Sequence, residues 1–115
     1  MSLDFERRCR ELLAGLRREA QGAPFHVAER GAPSVVSSWD SGHAALVLRH
    51  LDPAAAAAEL RALYAACQRD DGLVASERAA GAKERAERQA VLGPLFAEDG
   101  RSILISPPWR SWTRE

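Results

Sequence analysis

A tryptophan and an aspartate stand side by side at Trp39-Asp40, just before an almost wholly apolar stretch at residues 44–48. An exposed indole stacks on the weakly apolar C–H face of a sugar, and a neighbouring carboxylate accepts hydrogen bonds from the sugar hydroxyls. The alternative is ordinary helix geometry, in which Asp40 is the N-cap and the indole packs locally. The apolar stretch predicts a helix buried on most sides. The pair therefore predicts a carbohydrate contact at the end of a core helix.

Few other residues in the sequence could form a metal, cofactor or catalytic site. His43 and His50 lie seven apart, but no third ligand stands at a spacing that suits zinc, and His26 falls in a predicted loop. The chain contains no Gly-rich phosphate loop, no CxxC and no GxSxG motif. We therefore expect no metal and no cofactor.

Composition narrows the classes of partner. The 115 residues predict one domain, residues 1–115, and the 16 basic side chains are balanced by 16 acidic ones. This balance argues against binding to nucleic acid or to an anionic membrane. Stacking of Trp109 and Trp112 on single-stranded nucleic acid is the less favoured alternative to a place in the core or at its rim.

Cysteine usage and hydropathy point to the cell interior. Cys9 and Cys67 are far apart and both fall on apolar stripes, which predicts two buried free thiols. The N-terminus lacks the apolar region of a signal peptide, and no stretch is long enough to span a membrane. The expected location is the cytoplasm.

The elements that position these residues are predicted to be helical. The periodicity predicts a first helix over 3–20, then a loop over 21–38 and a second helix from Asp40 to His50. Asp52-Pro53 is a typical N-cap and first-turn pair and predicts a third helix over 53–69. This third helix is expected to bury one stripe, formed by Leu60, Leu63, Tyr64 and Cys67.

The last third of the chain is more mixed. The charged segment over 77–89 predicts a helix interrupted by Gly81, and residues 102–105 predict an extended run. Pro107-Pro108 then predicts the start of a last helix, which carries Trp109 and Trp112 on one face.

Several short segments follow one another in an order typical of one enzyme group: Trp39-Asp40-Ser41, Leu-Arg-His-Leu-Asp-Pro at 48–53, Glu-Leu-Arg-Ala-Leu at 59–63, and Asp71-Gly72. In these segments the chain resembles the (α/α)6-toroid glycoside hydrolases, especially the mannosylglycerate hydrolase and trehalase-like branch of glycoside hydrolase family 63. The resemblance covers nearly all of this chain but only the opening part of such an enzyme. It departs from the family where Val74-Ala75-Ser76-Glu77 keeps only the acid of a usual Pro-His-Glu, and where Ser106 replaces a glutamine.

The resemblance implies an all-α fold of antiparallel helical hairpins, forming the opening arc of a partial (α/α)6 toroid. It implies that the chain is the N-terminal part of a glycoside hydrolase acting on a small glycoside or oligosaccharide. On this view the chain supplies a substrate-binding rim, made of Trp39, Asp40, Glu77, Ser106 and Trp109. The paired carboxylates that cleave the glycosidic bond come from later hairpins in that group, so no catalytic residue is assigned and the chain's own enzymatic status stays open.

Two alternatives accompany this interpretation. Asp40 and Glu77 as an improvised acid–base pair is the less favoured one, because Glu77 reads as an exposed acid of a loop or helix start. The other is a non-catalytic shortened helical protein that associates with itself or with a protein partner. An apolar second helix without neighbours would expose a larger patch than monomers tolerate.

Overall fold

The computed structural model describes residues 2–97 and 99–102. The elements follow in the order α1 (Leu3–Leu16), β1 (Arg17–Ala20), β2 (Ala23–His26), β3 (Val35–Ser37), α2 (Ser38–Leu51), α3 (Pro53–Cys67), β4 (Glu77–Ala79), α4 (Ala82–Leu92) and a 3-10 turn (Gly93–Leu95). Strand β1 pairs with β2 and strand β3 pairs with β4, both antiparallel. The expected all-α toroid is therefore wrong, and the fold of the described residues is mixed α/β.

The first difference arises at the end of α1. The predicted helix over 3–20 ends at Leu16, and residues 17–20 form β1. Gln21 and Gly22 both have positive φ, at 53° and 79°, as in the two-residue turns that join hairpin strands. Because this turn folds the chain back on itself, β1 and β2 pair from Arg17↔His26 to Ala20↔Ala23.

The second sheet joins distant parts of the chain. Strand β3 lies within the predicted loop over 21–38, and β4 replaces the beginning of the predicted helix over 77–89. Val35 and Val36 are buried, which is typical of β-branched residues in short strands. Residues 100–102 run along the other edge of β4, where Ser102 N donates to Glu77 O at 2.9 Å.

The hairpin of α2 and α3 follows the predicted local signals. Asp52 caps α3, its side chain accepts from Ala55 N at 3.1 Å, and Pro53 lies in the first turn. This N-cap prediction is confirmed. The predicted burial is wrong for α2, because Leu46 and Val47 are 54% and 44% exposed.

The buried face of α3 also differs from the predicted stripe. Leu63 and Cys67 are buried as expected, but Leu60 and Tyr64 are 41% and 52% exposed. The buried face of α3 consists mainly of small side chains and includes one acid: Ala56, Glu59, Ala62, Leu63, Ala66 and Cys67. Alanines allow β2 and β3 to approach the helix closely, so the contact surface follows small residues instead of large ones.

The core lies between α3 and the strands. Its buried members are Phe25, Val27, Val36, Leu63, Ala66, Cys67 and Ala75. In the described part of the chain, no helix combines the length and apolar composition needed to cross a bilayer.

Candidate functional site

Asp40 and Glu77 line the same cleft, which has a volume of about 160 Å³. The other lining residues provide an apolar wall and further polar groups: Val27, Ala32, Pro33, Val35, Ser37 and Arg88. Pockets for drug-sized ligands span roughly 300–1,000 Å³. The cleft is therefore suited to a small ligand.

The β3–β4 pairing brings the two carboxylates together. Ser37 stands opposite Glu77 in the strand register, and Ser38 N donates to Ser76 O at 2.9 Å. The N-cap of α2 is Ser37, whose Oγ accepts from Asp40 N at 3.3 Å, so the prediction of Asp40 as N-cap is wrong. Asp40 lies in the first turn instead, where the helix dipole favours a negative charge.

The electrostatics of the two acids differ. The Glu77 side chain is 18% exposed and its Oε1 accepts from Arg88 Nη2 at 2.6 Å, so Glu77 is not the exposed loop or helix-start acid that was expected. Burial raises the pKa of the Asp40 carboxyl, the charge of His43 opposes this shift, and the charge of Glu77 adds to it. Burial disfavours the charged form of the Asp40 carboxyl, and hydrogen bonds donated by a ligand would stabilise that charged form.

Arg88 is a cleft residue that the sequence did not reveal. Its Nε is buried and has no hydrogen-bond partner among the described residues. Buried polar atoms are nearly always paired in proteins, so the unpaired Nε is an exception within the side chain that forms the ion pair with Glu77. No local signal marked Arg88, because its position depends on α4 folding back against β4.

The other predicted site residues are placed differently. Trp39 is 69% exposed and its ring contacts His43 at a centroid distance of 4.8 Å, but it does not line the cleft. His43 Nδ1 and Trp39 O lie 2.8 Å apart. Ser106 and Trp109 lie outside the described residues.

A second polar constellation lies in the core. His26 belongs to β2 and not to a loop, and both it and Glu59 are buried. Glu59 is not part of the stripe that the sequence predicts for the buried face of α3. The apolar composition around it gave no sign that it would find a partner 33 residues away. Over residues 2–97 and 99–102, no group of three or more potential ligands could hold a metal ion.

Comparison of the chain with protein-family models, with curated proteins and with solved structures finds no match. The chemistry of the cleft is therefore inferred from its own side chains. Two carboxylates accept hydrogen bonds, the Arg88 guanidinium donates them, and the Ser37 hydroxyl can do either. Together with an apolar wall, this set suits a small ligand with several hydroxyl groups.

Proposed function

We propose that this chain binds a small carbohydrate in the cleft of Asp40, Glu77 and Arg88, as the substrate-binding part of a glycoside hydrolase. The observation that carries the proposal is the convergence of two carboxylates and the Arg88 side chain on one small cleft. The order of Trp39-Asp40-Ser41 and Asp71-Gly72 in the chain resembles that of mannosylglycerate and trehalase-like hydrolases and is the reason for proposing a carbohydrate, although the fold of the described residues is not the toroid of that group.

The cleft has the polarity that a sugar requires. Hydroxyl groups donate to the Asp40 and Glu77 carboxylates and accept from the Arg88 guanidinium, while the Val27 and Val35 side chains cover a C–H face. Each group on the ligand then finds a partner of the opposite hydrogen-bonding sense. Trp39 lies one residue before Asp40 and offers an exposed ring for a second, outer sugar.

The proposal assigns binding and not bond cleavage to these acids. Glycoside hydrolysis needs one carboxyl to give a proton and another to act as nucleophile or base. Glu77 Oε1 is engaged in the ion pair with Arg88 Nη2, so we assign Glu77 to binding. The acid and base of the reaction are therefore expected from elsewhere in the enzyme.

Isothermal titration with trehalose and with mannosylglycerate tests this proposal. We expect binding by the wild-type chain and a loss of at least about tenfold in affinity for Asp40→Asn and Arg88→Gln, since each removes a hydrogen bond to the ligand. The matched control is Asp4→Asn, which changes the same chemical group on α1. Trp39→Ala separates the outer subsite from the cleft, because it should weaken binding of trehalose, which has a second sugar ring, more than binding of mannosylglycerate, which has one. If neither ligand binds to the wild-type chain, or if all variants bind equally well, the proposed site is wrong.

The second candidate function is association with another copy or a protein partner. It is favoured by apolar side chains that remain exposed on α1 and α2, with Phe5 at 57%, Leu12 at 56% and Leu46 at 54%. Light scattering over a range of concentrations tests it. A mass that rises with concentration and returns to that of a monomer in Phe5→Ser and Leu46→Ser supports this candidate, and a constant monomer mass rejects self-association.

The location that we propose is the cytoplasm. Both Cys9 and Cys67 are free thiols, which suits a reducing compartment.

A further inference from the structure

A second concavity lies on the other side of the β3–β4 pair. It is a recess of about 100 Å³, and apart from Arg78 and Gln21 its lining is apolar: Ala20, Ala23, Phe25, Val36, Ala62, Ala65, Ala66, Ala79 and Ala80. Alanine side chains end at Cβ, so they leave space where larger residues would fill it. An engineered apolar cavity of roughly 150 Å³ takes up benzene, so this recess has the size for a short hydrocarbon chain.

Arg78 provides a charged group in the wall of this recess. It stands opposite Val36 in the strand register, and its Nη1 donates to Ala66 O at 3.2 Å. This bond anchors the guanidinium and uses one of its five N–H donors. The ion pairs seen among residues 2–97 and 99–102 do not include Arg78.

A second guanidinium group, that of Arg101, lies near Arg78. Arg101 Nε donates to the same Ala66 carbonyl at 2.9 Å, and Arg101 Nη1 pairs with Asp99 at 2.8 Å. Within residues 2–97 and 99–102, the charges of both Arg78 and Arg101 act on the carboxylate of Asp99. Burial raises the pKa of Asp99, but the hydrogen bonds from Arg101 and the charges of Arg101 and Arg78 outweigh it and hold the pKa below its ordinary value.

We infer that the recess binds a short aliphatic carboxylate, with the hydrocarbon chain among the alanines and the carboxylate on Arg78. The guanidinium of arginine forms two parallel hydrogen bonds with a carboxylate, and its remaining donors allow this. The apolar lining supplies the hydrophobic contribution for the chain. A cation is repelled by the Arg78 guanidinium, and an uncharged alcohol gains only the apolar contribution.

This site is separate from the carbohydrate cleft. Successive strand residues point to opposite faces, and Val36 and Arg78 line the recess whereas Val35, Ser37 and Glu77 line the cleft. The two proposals therefore stand or fall independently.

Titration of the ¹⁵N-labelled chain with butyrate, butanol and butylamine, followed by amide chemical shifts, tests the inference. We expect butyrate to shift the amides of Phe25, Ala66 and Ala79, and butanol to bind about tenfold more weakly because it lacks the charge. Butylamine should leave these amides unchanged. Equal affinity for butyrate and butanol would show that Arg78 plays no part, and absence of shifts with all three would remove the site.

Two variants locate the interaction. Arg78→Gln should lower butyrate affinity about tenfold and leave butanol binding unchanged, whereas Ala62→Leu should fill the recess and weaken both. Arg61→Gln, at an exposed position of α3, is the matched control for charge loss. If Ala62→Leu fails to fold, Arg78→Gln and the wild-type ligand series still decide the question. Unchanged butyrate binding by Arg78→Gln would overturn the inference.

Discussion

The carboxylate of Glu59 holds His26 at two points, because Oε1 accepts from the backbone amide at 2.9 Å and Oε2 lies 2.8 Å from imidazole Nδ1. Glu59 is 1% exposed and His26 is 8% exposed. The bonds join α3 to β2, two elements of the core that are far apart in the chain. A buried carboxylate is tolerated here because both of its oxygens are paired.

Loss of the Glu59 carboxylate should destabilise the fold. In Glu59→Ala the His26 amide and imidazole lose their acceptors, and we expect the free energy of unfolding to fall by about 2–4 kcal/mol. Glu59→Gln keeps one acceptor and should cost less. Urea denaturation followed by circular dichroism measures the change, with Glu87→Ala at an exposed position of α4 as the control. Equal stability of the Glu59 and Glu87 variants would contradict the assigned role.

The end of α4 depends on a glycine. Gly93 has φ 55° and ψ −125°, a conformation that disfavours any residue with a Cβ. Gly93→Ala should therefore lower the free energy of unfolding by about 1–2 kcal/mol. Gly31→Ala is the matched control, because an added Cβ meets no atom within 4 Å at either position and Gly31 does not have a positive φ. If Gly93→Ala and Gly31→Ala change the thermal unfolding midpoint equally, the backbone at Gly93 is free to rearrange.

The thiol of Cys67 should be unreactive in the folded chain. Burial raises its pKa to about 11, although the charges of Arg101 and Arg78 act in the opposite direction. Near pH 8 we expect iodoacetamide to label Cys9, which is partly exposed, and to reach Cys67 only after denaturation. Intact mass spectrometry counts the adducts, and rapid native labelling of both cysteines would rule out this environment for Cys67.

Because the pKa of Cys67 is raised, the stability of the fold should depend on pH in the alkaline range. Because the pKa of Cys67 is higher in the folded state, its contribution to stability is present below the ordinary value of 9.0 and is lost as the pH rises toward about 11. Cys67→Ala should remove this part of the pH dependence. Parallel unfolding curves for the two proteins across that interval would mean that Cys67 does not titrate there.

Replacing Asp40 and Asp99 by asparagine should change the stability of the fold at neutral pH in opposite directions. The raised pKa of Asp40, caused mainly by burial, means that its contribution to stability is present at acid pH and lost as the pH rises through the folded value. Asp40→Asn should therefore leave the neutral-pH unfolding midpoint equal or higher. Asp99 has a lowered pKa, because Arg101 and Arg78 outweigh burial, so its contribution is present at neutral pH and lost on acidification.

Asp99→Asn should accordingly lower the neutral-pH midpoint, and the difference from wild type should shrink as the pH falls below the ordinary aspartate value of 3.8. Thermal melts of both variants at neutral and acid pH provide the comparison. A lower neutral midpoint for Asp40→Asn would indicate that Asp40 stabilises α2 more than burial opposes it.

The candidate site shows which cleft residues could be predicted from the sequence. Asp40 and Glu77 were both named from sequence as members of one rim, and they line one cleft. The predicted reason was a ring of helices, whereas the actual reason is the pairing of β3 with β4. Arg88 was missed, since its contact with Glu77 depends on how α4 packs and not on any pattern of neighbours.

Local signals alone determined the Asp52-Pro53 start of α3 and most of the length of α2 and α3, because capping and helix propensity act within a few residues. The strands were decided by tertiary pairing. Strand β3 has three residues and finds its partner about forty positions later, so no short window of sequence carries that information. The same holds for the burial of Glu59 and the exposure of Leu60. Which face of an alanine-rich helix is covered depends on how closely the neighbouring strands can approach it, and this is settled only when the chain packs.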